Sequence, residues 1–298
     1  VNAGELSNSG IEIELSGSPV KTEDFEWKLG VNFTSTEQIV NDLAGLEAID
    51  IGSAPFGGAV LRASEGDKYG QLWAYDYAKT KDGEKILQGS GGVYKQTELK
   101  PVGSVYPDYN IGINNTITYK NWNLGVLVDI QKGGSFYSLS HMWGMYSGMW
   151  EATAQTNAKG NNIRESIDDG GGILLDGVYQ DPSTGEYVEN DEYTPGKKWA
   201  KAHYHGIDDT PSAQSIFDAS YIKIREITLG YTFNQKLFGG TVKRARISAY
   251  ARNAFTFGLA LDGLDPEVTV AGSGPIQGIE GGLQPVSRNF GLNLSLTF

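Results

Sequence analysis

The 298-residue sequence contains no cysteine, which excludes a disulfide framework and a thiolate metal site without identifying a compartment. Histidine is nearly as scarce, at three residues. No GxxxxGK[ST], HExxH or GxSxG pattern occurs, and Gly170 to Gly172 follow Asp168 and Asp169 without a lysine to hold phosphate, so that stretch reads as a turn. No enzyme chemistry and no cofactor are expected. Basic residues are the minority, 24 Lys and Arg against 36 Asp and Glu, and a formal net charge of -12 repels a phosphate backbone. Nucleic acid is therefore not an expected partner. No run approaches the roughly 18 apolar residues of a transmembrane helix, so a membrane span here would have to be a closed barrel. Val1 is not an initiator Met and no charged and apolar leader follows it, from which a piece of a longer chain is expected.

What the sequence does have is glycine and aromatic residues: 40 Gly, 16 Tyr, 11 Phe and 6 Trp. That mixture favours strands and turns, so an all-β fold is expected. The ending is the clearest strand. Phe290, Leu292, Leu294, Leu296 and Phe298 alternate with Asn289, Gly291, Asn293, Ser295 and Thr297. Leaving that apolar row in water would forfeit on the order of 10 kcal/mol, so it must face lipid or a core. Between Ile111 and Ile130 a two-residue loop at Lys120 and Asn121 would pair Tyr119 with Trp122, Ile117 with Leu124 and Ile111 with Ile130, all on one face. Asn115, opposite Val126, is the exception. Further rows are Ile11, Ile13 and Leu15, leading through a connection from Ser16 to Asp24 into Phe25, Trp27, Leu29, Val31 and Phe33. Ile222 and Ile224 have opposite parity to Ile227, Leu229, Tyr231 and Phe233, which predicts a bulge near Arg225 and Glu226. Ala245 to Phe257 carries one more apolar row, backed by Arg244, Arg246 and Arg252. Segments 58 to 64 and 69 to 78 are candidate additional strands, for about nine in all.

Connection lengths distinguish two all-β architectures. The links at 120 to 121 and 234 to 242 are short, whereas those near 79 to 107, 138 to 215 and 259 to 286 are long. Short turns at one rim and long loops at the other predict a transmembrane antiparallel β-barrel. Phe290, Leu292, Leu294, Leu296 and Phe298 would then face lipid, and Tyr119, Trp122, Tyr231 and Phe233 would form part of an interfacial girdle. The alternative is a soluble or surface-attached β-sandwich that binds glycans. It explains neither the terminal aromatic and Leu row nor the alternation of connection lengths.

The loop from Ser138 to Ser215 is too rich in Trp and Tyr for a disordered tract. Phe136, Tyr137, His141, Trp143, Tyr146 and Trp150 cluster at its start, either as a platform for a ligand or as internal packing. With Arg164, Asp168 and Asp169, the residues Trp143, Tyr146 and Trp150 form the candidate contact site for a substrate or a lid. Asp168 and Asp169, like Asp208 and Asp209, read more readily as solvated loop acids. His203 and His205 share a parity, as two metal ligands would, but no third ligand is evident and no metal is expected. The Arg244, Arg246 and Arg252 row could steer an anionic substrate, but balance by acids on a neighbouring lumenal strand is the expected arrangement.

Three stretches carry a family resemblance. Asp218 to Phe233 (DASYIKIREITLGYTF), Arg246 to Phe257 (RISAYARNAFTF) and Gln284 to Phe298 (QPVSRNFGLNLSLTF) are similar to the closing strands of the SusC/RagA family of TonB-dependent outer-membrane transporters. Phe25 to Thr36 and Pro107 to Lys120 resemble earlier strands of the same family. The resemblance implies that residues 1–298 form the C-terminal portion of a single 22-stranded barrel closed by an N-terminal plug, with long extracellular loops. It also implies import of oligosaccharides or oligopeptides across the outer membrane of a Gram-negative, Bacteroidetes-like bacterium. The implied partners are the rest of the barrel and its plug, a SusD-like surface lipoprotein, TonB acting through the missing N-terminal part, the substrate oligomer, and membrane lipid.

Overall fold

The structure is a computed structural model that describes residues 4–204, 209–234, 241–269, 276–282, 284 and 286–298. Seven strands form its main sheet: β1 (Glu5–Lys21), β2 (Phe25–Asp42), β3 (Tyr109–Tyr119), β4 (Trp122–Lys132), β5 (Tyr221–Phe233), β6 (Arg244–Phe257) and β7 (Asn289–Thr297). Each is paired antiparallel with its sequence neighbours, giving the order β1 to β7 with two open edges. No helix among the described residues is long and apolar enough to cross a membrane.

Register places the apolar rows side by side. One rung runs Val20, Trp27, Ile117, Leu124, Leu229, Ala249, Leu292; the next toward the short turns runs Phe25, Tyr119, Trp122, Tyr231, Ile247, Leu294. The hairpin at Lys120 and Asn121 has the predicted pairing, including Asn115 opposite Val126. Lys120 adopts the left-handed conformation (φ 50°) that so short a loop demands. The bulge lies where parity placed it, between Ile224 and Glu226, with register shifting against both neighbours. On the opposite face, glycines adjoin polar side chains: a Cβ on Gly291 would lie 2.5 Å from the Tyr250 ring, and one on Gly125 2.5 Å from Thr228 Oγ1.

Three expectations are corrected. Residues 16 to 21 belong to β1 rather than to a loop; a register shift between Gly17 and Val20 takes up Ser18 and Pro19, which reverses parity so that Val20 lands on the apolar face. The turn is confined to Thr22, Glu23 and Asp24. Segments 58 to 64 and 69 to 78 do contain strands (Ala59–Ser64 and Gln71–Tyr77), but they join Ala48–Ser53 and Gln96–Ser104 in a separate four-stranded sheet. At six and seven residues they are shorter than the 9–11 of a typical membrane strand. The main sheet accordingly has seven strands rather than nine, and the first long link runs from 43 to 108.

The meander thus has short connections at one end and the long links 43–108, 133–220 and 258–288 at the other. Burial is inverted relative to a sandwich. The apolar core sits in the links, where Ala54, Ala59, Tyr137, Leu139, Met142 and Ile279 pack together. The sheet's apolar face is uncovered: Phe290, Leu292, Leu294, Leu296 and Phe298 are 73, 78, 64, 44 and 69% exposed, and Ile11, Ile13 and Leu15 at the far edge are exposed as well. Among the described residues no second sheet covers that face, which speaks against the sandwich reading.

Candidate functional site

The link from β4 to β5 folds on a helix that its sequence starts and stops. Ser138 caps α1 (Leu139–Ser147), its Oγ accepting from the His141 N–H at 3.0 Å, and Gly148 ends the helix at φ 74°. Arg164 closes the same end: Nε donates to the Thr153 carbonyl at 2.7 Å, and Nη2 donates to Thr153 Oγ1 at 2.8 Å and to the Gly148 carbonyl. One of the candidate contact residues is thereby committed to holding the backbone.

The aromatic candidates divide. Trp143 and Tyr146 lie 5.6 Å apart and both meet Tyr204 at 5.3 Å, while Phe56 stands edge-on to Trp143 at 5.3 Å. Phe56 is 63% exposed and held at φ 65°, an unfavourable conformation for a bulky side chain. Trp150 instead turns inward against His141 at 5.4 Å and against Gly144, where a Cβ would lie 2.8 Å from the ring. Phe136, Tyr137 and His141 are buried, so the sequence cluster comprises three packing residues, one inward Trp and an outward platform. Phe56, distant in sequence, escaped the sequence reading, and Tyr204 entered it only as one of the aromatic residues that order the loop.

Tyr146 and Arg164 also line one cavity of about 370 Å³ with Lys197 and Lys201 from α2 (Gly196–Lys201). Asp168 and Asp169 are not in its walls. Asp169 accepts from Ser166 Oγ at 2.7 Å and closes its own turn, and Asp168 is exposed beside it.

His203 is buried, its Nδ1 donating to the Trp199 carbonyl at 3.0 Å, with its ring 5.6 Å from His141. His205 and Asp208 lie outside the described residues. Among the described residues no group of His, Asp and Glu is arranged to hold a metal. Burial lowers both His141 and His203 to about 4; the neighbouring His203 adds to the effect on His141, while the hydrogen bond to Trp199 opposes it on His203.

Of the arginine row, Arg252 has the expected acid, Glu226 on β5, at 2.7 Å. Arg246 instead donates to Asn123 Oδ1 at 3.1 Å. The denser ionic group lies at the bulge. The buried Lys223 Nζ contacts Asp265 Oδ1 at 2.7 Å and Oδ2 at 2.8 Å, and also Glu267. Arg225 donates to Glu267 Oε1 at 2.6 Å and to Asp129 Oδ2 at 2.9 Å. Burial alone would raise Glu267, but the hydrogen bonds from Arg225 and Lys223 outweigh it and hold the carboxyl at about 2. A second tether lies farther along the same link. Glu280 is 2% exposed and accepts from Ser138 Oγ and Ser140 Oγ, each at 2.7 Å, and from the Ser140 N–H at 3.1 Å, at the positive end of α1. Lys223 with Asp265 and Glu267 pins the last link to the wall, and Glu280 pins it to the preceding link. Neither tether was legible in the sequence, since each joins residues more than forty positions apart.

No family model matches the chain. Curated relatives do: TonB-dependent receptor P3 of Formosa agariphila is 22% identical over 326 aligned positions, covering 100% of this chain and 29% of that protein. TonB-dependent receptor SusC of Bacteroides thetaiotaomicron is 24% identical over 318, covering 100% and 27%. The chain is a distant homologue of the SusC-type TonB-dependent receptors. It spans less than a third of the length of those receptors. The solved structure of the RagAB peptide transporter shares the fold at a TM-score of 0.65 and 17% identity, covering 100% of this chain and 30% of that one; the "closed-closed" state of the RagAB peptide importer gives 0.64. The antiparallel wall therefore matches part of a receptor barrel, with the sheet open rather than closed. The relatives are receptors by name, not enzymes.

Proposed function

We propose that residues 1–298 are the C-terminal part of one outer-membrane receptor barrel that imports a nutrient oligomer, oligosaccharide or oligopeptide, across the outer membrane of a Gram-negative, Bacteroidetes-like cell. The observation that carries the reading is the uncovered apolar face, continuous through β1 to β7 and bounded toward the short turns by Phe25, Tyr119, Trp122, Tyr231 and Phe233. In water such a face is prohibitively unfavourable; in a bilayer it is the required surface, provided the remaining strands of a 22-stranded barrel close the two edges. Trp122 and Tyr231 meet at 4.9 Å, and Tyr231 and Phe233 at 5.1 Å, as neighbours in an interfacial girdle would. Phe290, Leu292, Leu294, Leu296 and Phe298 complete the lipid-facing surface at the last strand.

The long links then stand outside the cell. There Trp143, Tyr146, Tyr204 and Phe56 offer aromatic faces to the oligomer or to a SusD-like lipoprotein lid, with Trp150 and Arg164 holding α1 behind them. Asp168 and Asp169 contribute acceptors at the margin. Energy would come from TonB through a plug outside this chain. The test is uptake of labelled oligosaccharides and oligopeptides by cells with and without the intact gene, with and without TonB. Loss of uptake in both deletions supports the reading; unchanged uptake, or recovery of the protein in a soluble fraction, overturns it.

A further inference from the structure

We infer that the cavity between α1 and α2 binds the carboxylate of an acidic oligomer, which deepens the import reading by naming a substrate class. Three cationic side chains, Arg164, Lys197 and Lys201, line it with Tyr146, and among the described residues no carboxylate is in its walls. Such a gathering is against the composition of the chain, which carries twelve more acids than bases. Lys197 and Lys201 are one turn apart on the same helix and repel each other. Among the described residues neither forms an ion pair.

Arg164 is oriented before any ligand arrives. Its Nε and Nη2 are spent on Thr153 and Gly148, which leaves Nη1 as the donor without a partner among the described residues. Charge-assisted donation from a fixed guanidinium and two ammonium groups suits a carboxylate, and the volume of about 370 Å³ lies in the range of small-ligand pockets, enough for the end of an oligomer. Tyr146 forms a wall of the cavity and also a member of the aromatic group with Trp143 and Tyr204. A ligand can thus lay a ring or an apolar side chain on the platform and place its acid end among the cations. A uronic acid and a peptide C-terminus both present that chemistry.

The experiment uses the intact receptor purified in detergent, titrated calorimetrically with trigalacturonate and its methyl ester, and with a tripeptide and its C-terminal amide. The expected result is binding of at least one acid form, with the neutral counterpart weaker by about tenfold or more. Lys197→Gln with Lys201→Gln, both exposed, should weaken the acid form alone by a similar factor. Raising salt should weaken the wild type more than the double variant, because these charges are accessible to screening. Binding of the sugar acid alone or of the peptide alone identifies the source. Equal affinity for acid and neutral forms, an unaffected double variant, or no binding of either acid overturns the inference. That failure is distinct from failure of the import reading, since uptake of neutral oligomers would persist.

Discussion

Lys223 is the residue on which most local electrostatics converges. Its ammonium is buried against Asp265 and Glu267, so removing it leaves Asp265 with no cation among its described contacts. Breaking a buried pair from one side costs about 3–5 kcal/mol, and here the loss falls on the attachment of the last link. Lys223→Met in the intact receptor should therefore speed hydrogen exchange across residues 258–269 while leaving β5 protected; unchanged exchange would mean that Arg225, through Glu267, and Glu280 hold the link without it. The histidines give a pH dependence of definite sign. Because burial lowers His141 and His203 from 6.5 to about 4, the unfolded link takes up protons first as pH falls. Their contribution is intact above about 6.5 and is lost progressively down to about 4, with no further change from them below that. Glu267 acts over a lower range, its stabilisation present above 4.5 and lost as pH falls toward about 2. Corrected for the fall of intrinsic amide exchange with pH, the protection of residues 139–147 and 196–204 should decrease between pH 6.5 and 4; protection that is flat across this window would contradict the burial of both rings.

At the scale of an element, β7 is the sharpest case because every second residue faces outward and exposed. A lipid-facing cation costs about 2–4 kcal/mol at mid-membrane, and a residue on the other face of the same strand escapes that penalty. Leu292→Arg should reduce the heat-modifiable, assembled fraction of the intact receptor, and Asn293→Arg should leave it near wild type. Equal losses would deny the strand a lipid face. The strands themselves were legible in the sequence because period two is a local signal. Parity located the Ile224 to Glu226 bulge and the Lys120–Asn121 turn correctly. It misplaced the end of β1 because Pro19 hides within a register shift, which the alternation cannot distinguish from a loop.

At the scale of the molecule, the two open edges of the sheet decide its behaviour. β1 and β7 each present one unpaired row of backbone donors and acceptors beside an uncovered apolar face. Neither is tolerated in lipid without partner strands. The 298 residues expressed alone should aggregate in detergent rather than give a monodisperse, heat-modifiable species. Recovery of such a species with a full strand signature would show that the segment closes without the rest of the barrel.

The sequence by itself determined which face of each strand is apolar, which connections are short, and that the links carry enough aromatic surface to fold. Each of these follows from residues within about ten positions of one another. Only the tertiary structure decided that segments 58 to 64 and 69 to 78 leave the wall for a separate sheet, and that Phe56 and Tyr204 join Trp143. It likewise decided that Arg164 serves the end of α1, and that Lys223, Asp265 and Glu267 tie the last link down. Those outcomes depend on which links meet above the sheet. Such meetings are set by the register of strands far apart in the chain, for which no local period exists.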